Sequence, residues 1–493
     1  MIEHQPMRAA GNAMLWQAFQ MGGVKALYLV RLLVMAILLT PEDFGLIAIA
    51  LAATSFLLNL TNFGLIPAAV QAENMDDAKY DAVWTFDMTR CVIVAALTIV
   101  LAPLIAKIFA EPQAVSIIQV LALRPLIESL TSIKIAALNR NLTFRPLAIL
   151  KIVEAVFNAI ISIALAKLLG VWAMVLGMIG GATSMVIASY IFAPYRPRIS
   201  YDWQSVMPLL KFGRWLLVTG IFAMAGNFGL RLLISRQVGA EGLGLYFLAV
   251  QLAFLPNEIA SEVVGTVAFP LFARLRSHLH EAARAFRAIL TGLMALLYPT
   301  CALIIVLSPV LVHDVLGSKW EGTVVLIQIL SFGAMIALLS DATVPLVKGF
   351  GHSYRVTQIE LVQSSSLILM VWFFTSRYGT LGAALAWLPA IICVQILCLY
   401  FIQDIFHDSL KEARKSILAI LVATVAGTAI SYLAIQVLPN IPGLVIASLL
   451  AALVIVSILW FSDRRYSLGL LRNIAIAFPQ MASILKIPNR ETN

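Results

Sequence analysis

Charge is what this sequence has least of. Only 12% of its 493 residues are Asp, Glu, Lys or Arg, and 61% are apolar, against roughly a quarter charged in an average soluble domain. A chain so poor in charge cannot coat a water-facing surface, so an ordinary soluble globule is excluded and lipid must solvate most of it. Cysteine is scarce too. Cys91, Cys301, Cys393 and Cys398 fall within apolar stretches at spacings that suit neither a metal nor a redox pair, and small apolar filler is their expected role. The six histidines all lie in loops or near the N-terminus, and the HLH at 278–280 has no third ligand nearby, which favours a solvated loop helix over a metal site. No loop is longer than about twenty residues, and neither a phosphate-cradling glycine loop nor a nucleophile elbow occurs. These absences exclude an extramembrane catalytic domain and ATP hydrolysis by this chain; a membrane polymerase or ligase would need a sizeable outer loop.

What the sequence does have is long apolar runs. A span needs about 20 apolar residues, and fourteen stretches qualify: 12–39, 44–70, 83–110, 114–137, 146–167, 171–193, 208–235, 243–272, 285–312, 321–347, 355–375, 379–402, 415–438 and 441–461. The expected fold is therefore an all-α, multi-pass membrane protein of about fourteen helices. The opening MIEHQPMRAAGNAMLWQ lacks a compact apolar core followed by a small-residue cleavage site, so an uncleaved first span is expected.

The runs also repeat. RLLVMAILLTPEDFGL from Arg31 and RLLISRQVGAEGLGL from Arg231 align with one residue of slippage, and GVWAMVLGM from Gly170 is echoed by GTLGAALAW from Gly379, 209 positions on. Two homologous halves of about six spans each are a transporter architecture. The repeat assigns residues 1–200 to a first lobe, 201–405 to a second, 406–465 to two appended spans and 466–493 to a cytoplasmic tail. That tail is short and apolar with scattered bases, so a helix lying on the membrane surface is one way to place it.

The net charge of +9 is distributed by side of the membrane, which argues against a nucleic-acid partner. With a cytoplasmic N-terminus and alternating spans, 22 basic residues fall on the inner side and five (Lys107, Lys167, Arg236, Lys319 and Arg377) on the outer side. That bias places both termini in the cytoplasm. The inner loop NMDDAKYD at 74–81 is acidic, although acidic residues carry little topological weight.

Seven basic residues remain inside spans: Lys25, Arg31, Arg90, Arg124, Lys151, Arg214 and Arg231. A charge at mid-bilayer costs a few kcal/mol or more, so it is paired or faces a wet cavity. Lys25 and Arg31, six residues apart, are separated by about 9 Å along a helix and 120° around it and can line one broad polar wall, where a phosphate would meet a point charge and a bidentate fork. Gly22 and Gly23 beside them would permit close backbone approach or a kink. Snorkelling to the interface is the rival reading for Arg31 and the stronger one for Arg231; Arg214 reads as interfacial, beside Trp215. Arg90 and Arg124 are further candidates, with Arg124 four residues from Glu128 and Lys151 three from Glu154, both pairing distances. Among the acids, Glu258 and Glu262 lie one turn apart and cannot both be comfortably ionised in lipid. They either meet the cations of the first span or bind a coupling ion. Asp341 and Glu360, with Asn227 and Thr357, form a second candidate for an ion site, with Na⁺ or H⁺ as the ion; no other cofactor is expected.

PEDFGLIAIA between the first two spans, NFGLIPAAVQ closing the second, FGRWL opening the seventh, VAFPLFARL (267–275) and LGSKWEGTVVLIQIL (316–330) together resemble the polysaccharide-transporter branch of the multidrug/oligosaccharidyl-lipid/polysaccharide exporter superfamily. The resemblance covers nearly the whole chain and is greatest to Wzx-type flippases of the colanic-acid kind. It implies two six-helix lobes about a central cavity and alternating access. The implied substrate is an undecaprenyl-pyrophosphate-linked oligosaccharide, moved from the cytoplasmic to the periplasmic leaflet of a bacterial inner membrane for exopolysaccharide or lipopolysaccharide assembly. A polysaccharide polymerase and export machinery are candidate partners. Related lipid II flippases carry two cavity cations six residues apart in the first span, a spacing Lys25 and Arg31 match. Those relatives also carry cations in spans 2 and 8, where this chain has Asn59, Asn62, Glu258 and Glu262. That departure puts the rest of the phosphate site in question and keeps a cation-coupled drug antiporter of the same superfamily as the alternative.

Overall fold

A computed structural model describes residues 22–62, 64–65, 76–140, 143–406, 413–438 and 441–466. All regular structure among them is helical. Residues 22–38 form α1. The first unit continues through α2 (Pro41–Leu60), α3 (Asp77–Phe109), the short α4 (Ala114–Leu121), α5 (Leu123–Ser129) and α6 (Ile135–Arg140), then α7 (Phe144–Leu169) and α8 (Val171–Phe192). It ends inside the long α9 (Trp203–Ala253). The second unit takes the end of α9, α10 (Leu255–Arg274), α11 (Leu279–Val310), α12 (Thr323–Gly349), α13 (Ser353–Leu385), α14 (Trp387–Phe406), α15 (Arg414–Val437) and α16 (Ile441–Tyr466).

Among the described residues ten helices are long and apolar enough to cross a membrane, eleven if the bent pair Phe222–Ala253 and Leu255–Ser261 is one span. The protein is a multi-pass membrane protein. Two of the fourteen expected stretches show where the count departs. The first is described only from residue 22. The stretch 114–137 is not one rod: α4 and α5 run on through Ala122 at helical dihedral angles (φ −59°, ψ −22°), with Pro125 lacking the N–H that would bond back across the join, but the helix ends at Ser129 and α6 begins only at Ile135. Large side chains left outward on the spans, such as Val100 at 74% exposure and Leu168 at 79%, are what a lipid-facing surface requires.

The sequence repeat reappears as backbone geometry. Gly170 separates α7 from α8 at φ 55°, ψ −129°, and its repeat mate Gly379 kinks α13 at φ 57°, ψ −139°. A residue with a Cβ would be strained at both, which is why the echo keeps the glycine. The other echoed segment ends its helix by different means. After Arg31 the helix α1 ends at residue 38 and Thr40 caps the start of α2, its Oγ1 accepting from Asp43 N at 3.3 Å while Asp43 accepts from Thr40 N at 3.0 Å. Pro41 stands at the first helical position, so TPED is a reciprocal N-cap. After Arg231 the helix instead bends at Gly239 (φ 73°), with Ala240 N donating to Glu111 Oε1 at 2.8 Å.

The repeat divides the chain after residue 200, whereas packing divides it after Gly244. The second half of α9 is stitched into the first unit: Arg231 Nη1 donates to Ala48 O (3.1 Å), Ser235 to Phe109 O (3.0 Å) and Arg236 to Ile108 O (2.6 Å). Gly45 and Gly244 let the start of α2 and this part of α9 touch backbone to backbone, at Ala240 and Pro41 respectively. In the second unit Phe272, Phe286, Trp320, Leu346 and Val394 are fully enclosed, Gly349 brings α12 against Phe272, and Trp387 Nε1 donates to Tyr246 Oη at 2.7 Å. The pair α15 and α16 packs mainly on itself and on α11.

Candidate functional site

The first unit encloses a charged cluster built on α7. Lys151, Glu154, Asn158 and Ser162 recur at spacings of three, four and four residues, one face of a helix. That face meets α8, where Gly177, Gly180 and Gly181 leave no side chain in the way: a Cβ at Gly181 would lie 2.8 Å from Glu154 O and 2.9 Å from Asn158 Cβ. Small residues of this kind are how helices approach closely in a membrane. Glu154 is buried; it accepts from Lys151 Nζ at 2.9 Å and Arg124 Nη2 at 3.5 Å. Arg124 also pairs with Glu128 at 2.8 Å.

Arg31 completes the cluster. It is 8% exposed, and its Nε donates to Ser162 Oγ at 3.2 Å, with Ser162 in turn 3.4 Å from Asn158 Oδ1. The buried Nη2 has no hydrogen-bond partner among the described residues. Tyr28 and Arg124 lie within Coulombic range of it. Arg31, Arg124 and Lys151 set against Glu128 and Glu154 leave one positive charge in excess, and the carboxylates belong to Arg124 and Lys151. A buried guanidinium with a donor to spare is an arrangement suited to an anion. Snorkelling, the rival expectation for Arg31, does not occur, because Ser162 holds it inward.

Lys25 is half-buried on α1, six residues before Arg31. Gly22 and Gly23 beside it have nothing within 4 Å of an added Cβ, so the close approach expected there is absent among the described residues. Arg90 is closed on itself: Asp87 Oδ1 takes Nη2 at 2.8 Å and Nε at 3.1 Å, and Leu58 O and Thr61 Oγ1 take Nη1 at 3.3 and 3.4 Å. Arg231 Nη1 donates to Ala48 O at 3.1 Å. The side chains of Arg214, Trp215 and Glu262 lie outside the described residues, and Glu258 is exposed in the first turn of α10.

In the second unit Asp341 on α12 and Glu360 on α13 share one cavity of about 500 Å³, with Ser261, Lys348 and Gln363 in its wall. Asn257 Nδ2 donates to Ala334 O at 3.0 Å and sits 3.4 Å from Asp341 Oδ2. Of the two residues expected beside these acids, Thr357 takes no part in the described wall and Asn227 donates to Ala223 O at 3.0 Å in its own helix. Sequence reasoning missed Tyr28, Asn158, Ser162, Asn257 and Ser261. For Asn158 and Ser162 a signal existed in the polar stripe of α7.

Three comparisons bear on this geometry. The profile of a family described as "Polysaccharide biosynthesis protein" matches residues 34–325. The succinoglycan biosynthesis transport protein ExoT of Rhizobium meliloti is 23% identical over 386 residues, covering 78% of this chain and 77% of its own. The lipopolysaccharide biosynthesis protein WzxC of Escherichia coli is 23% identical over 334 residues, 67% of each chain. Among solved structures, the lipid II flippase MurJ in an inward closed conformation superposes with a TM-score of 0.77 at 16% identity, over 92% of this chain and 99% of its own. An inward-facing multidrug resistance transporter of the MATE family gives 0.60 at 14%, over 80% and 95%. At those identities the structures speak to the fold, and it is the fold of polytopic transporters. With the profile match spanning more than half of its length, the chain belongs to the polysaccharide biosynthesis protein family and is a membrane transporter rather than an enzyme.

Proposed function

We propose that this chain is a flippase that carries a polyprenyl-pyrophosphate-linked oligosaccharide from the cytoplasmic to the periplasmic leaflet of the bacterial inner membrane, its termini on the cytoplasmic side. The observation that supports this most is Arg31: a buried cation whose Nη2 has no partner among the described residues, in a cluster whose acids are taken by other cations. Lys25 on the same helix adds a second positive charge for the same headgroup, and together they offset the cost of bringing a pyrophosphate through an apolar core. Arg124, held by carboxylates in the same cluster, acts by fixing the electrostatics around it. The similarity to proteins named for succinoglycan transport and lipopolysaccharide biosynthesis, and the fold shared with a lipid II flippase, support the same reading.

Transport requires that binding differ between the two states, since a ligand bound equally by both shifts nothing. The cavity of Asp341, Glu360 and Lys348 is where a coupling Na⁺ or H⁺ would act, loading one state of the transporter against the other. The test is genetic and biochemical together. In a host lacking the native gene, Lys25→Ala or Arg31→Ala protein should insert into the membrane normally. Lipid-linked repeat units should nevertheless remain on the cytoplasmic leaflet and surface polymer should fall. Normal polymer from both variants would remove the cations from the mechanism, and unchanged polymer with altered tolerance to cationic dyes on deletion would replace the reading with a drug antiporter.

A further inference from the structure

The acidic inner loop that fits the charge pattern badly has a structural use. Asp81 accepts the phenol of Tyr195 and the backbone N–H of Arg198 (3.0 Å), and Thr85 Oγ1 accepts Ser200 N at 3.0 Å. Ser132 Oγ donates to Ala193 O at 2.7 Å. Burial, and then the bond to Asp81, push the Tyr195 phenol well above its ordinary range, so it stays a donor. The non-helical segment 193–202 is thereby strapped across the start of α3. It leaves α8, a helix of 22 residues and so about 33 Å long at 1.5 Å per residue, close to the ~30 Å of a bilayer core. The strap therefore emerges at headgroup depth.

Its outward face is amphipathic in the way that depth favours. Ile199 is 70% exposed, Tyr201 58% and Trp203 56%, with Phe86 holding the two aromatics from behind at 5.8 and 4.6 Å between ring centres. Aromatic residues enrich at membrane interfaces. Beside them a cavity of about 440 Å³ is lined by Lys134, Arg196, Arg198, Tyr195, Asp77 and Asp81. Asp77 is matched by Lys134 at 3.0 Å and Asp81 is turned to the strap, which leaves the guanidinium groups of Arg196 and Arg198 without an ion pair among the described residues. The charge surplus of the cavity is positive.

We propose that this strap and cavity bind the phosphate of an anionic membrane phospholipid, with the guanidinium groups of Arg196 and Arg198 on the headgroup and Ile199, Tyr201 and Trp203 against its acyl boundary. Basic pockets at the cytoplasmic ends of spans take such headgroups, and the lipid would fix the starts of α3 and α9 at the membrane surface. The site is separate from the Arg31 cluster and stands whether or not that cluster carries a pyrophosphate.

The full chain, purified in neutral detergent, would be titrated with phosphatidylglycerol, phosphatidylcholine and glycerol 1-phosphate while bound lipid is counted by native mass spectrometry. Phosphatidylglycerol should bind in preference to phosphatidylcholine, and weaken with salt. The double variant Arg196→Gln/Arg198→Gln should lose about thirtyfold in affinity, roughly 2 kcal/mol for two bases near an anionic surface, whereas Arg377→Gln, whose side chain stacks on Phe373 at 4.1 Å, should not change it. Ile199→Ser should weaken the phospholipid and leave glycerol phosphate unaffected. Equal binding of the two phospholipids, or full binding by the double variant, would overturn the proposal. Glycerol phosphate binding as tightly as the lipid would assign the cavity to a soluble anion and overturn it as well.

Discussion

Substituting Gly181 by alanine tests the α7–α8 packing on which the Arg31 cluster depends. The added Cβ would stand 2.8 Å from Glu154 O and 2.9 Å from Asn158 Cβ, where comfortable carbon contacts are about 3.5–4.0 Å. Neither neighbour can swing aside: one is a main-chain carbonyl, the other a Cβ fixed to the helix. The helices must therefore part by something like half an ångström to one ångström, a gap that forfeits a quarter to a half of each contact's attraction. Overpacking of this kind costs about 1–3 kcal/mol. The neighbouring glycine supplies the control. A Cβ at Gly180 would run only into the terminal Cδ1 of Ile161, the far end of a side chain that can change rotamer, so Gly180→Ala should cost well under half as much. Thermal unfolding of both variants in detergent, followed by tryptophan fluorescence, reads the difference directly. Equal midpoints, or a lower one for Gly180→Ala, would refute the close-packing argument. Because parting α7 from α8 also moves Ser162, Gly181→Ala should reduce polymer export beyond what its stability loss explains.

Two further substitutions probe the cluster itself. Ser162→Ala removes the acceptor of Arg31 Nε at 3.2 Å; hydrogen bonds to charged groups contribute about 1.5–3 kcal/mol, so export should fall several-fold with the protein still folded, and Ser162→Thr should restore most of it. Glu154→Gln leaves Arg124 its bond to Glu128 and lets the half-exposed Lys151 reach solvent, so its cost in unfolding should stay below the roughly 3–5 kcal/mol of a fully broken buried pair; a larger loss would mean that Glu154 holds more of the unit together than its two ion pairs show.

Local order was the legible part. Spacing along one helix decides whether Arg124 can reach Glu128 or Lys151 can reach Glu154, and both pairs form as expected. TPED carries its own cap, and the echoed glycines at 170 and 379 announce breaks that the backbone then makes at nearly the same dihedral angles. Asn158 and Ser162 were legible in principle, as the continuation of a polar stripe through Lys151 and Glu154, but a neutral side chain costs less in lipid than a charge and so signals less. What no spacing rule supplies is a partner distant in sequence. Arg31 and Ser162 are 131 residues apart, and Asp341 and Glu360 share a cavity wall with Ser261, which lies on a different helix. The same limit explains the boundary between units. Repetition marks where one half of the sequence ends, but the bonds of Arg231, Ser235 and Arg236 to α2 and α3 settle where packing ends.

The sequence by itself determined the solvent. With so few charges, only helices or closed barrels could fold in it, and apolar runs of about 20 residues fit helices, so helicity, multiple spans and the scarcity of buried charge follow from composition and run length. The tertiary structure decided which charges are paired. Seven cations in spans look alike in the sequence, and each one's fate depends on what a neighbouring helix presents: two carboxylates for Arg124, an adjacent aspartate and a carbonyl for Arg90, a carbonyl for Arg231, and for Arg31, among the described residues, a serine with a donor left over. The reason is range. Hydrophobic burial is set residue by residue and can be read along a chain, whereas a buried charge is stabilised by specific atoms within about 3–4 Å, and only packing brings those together.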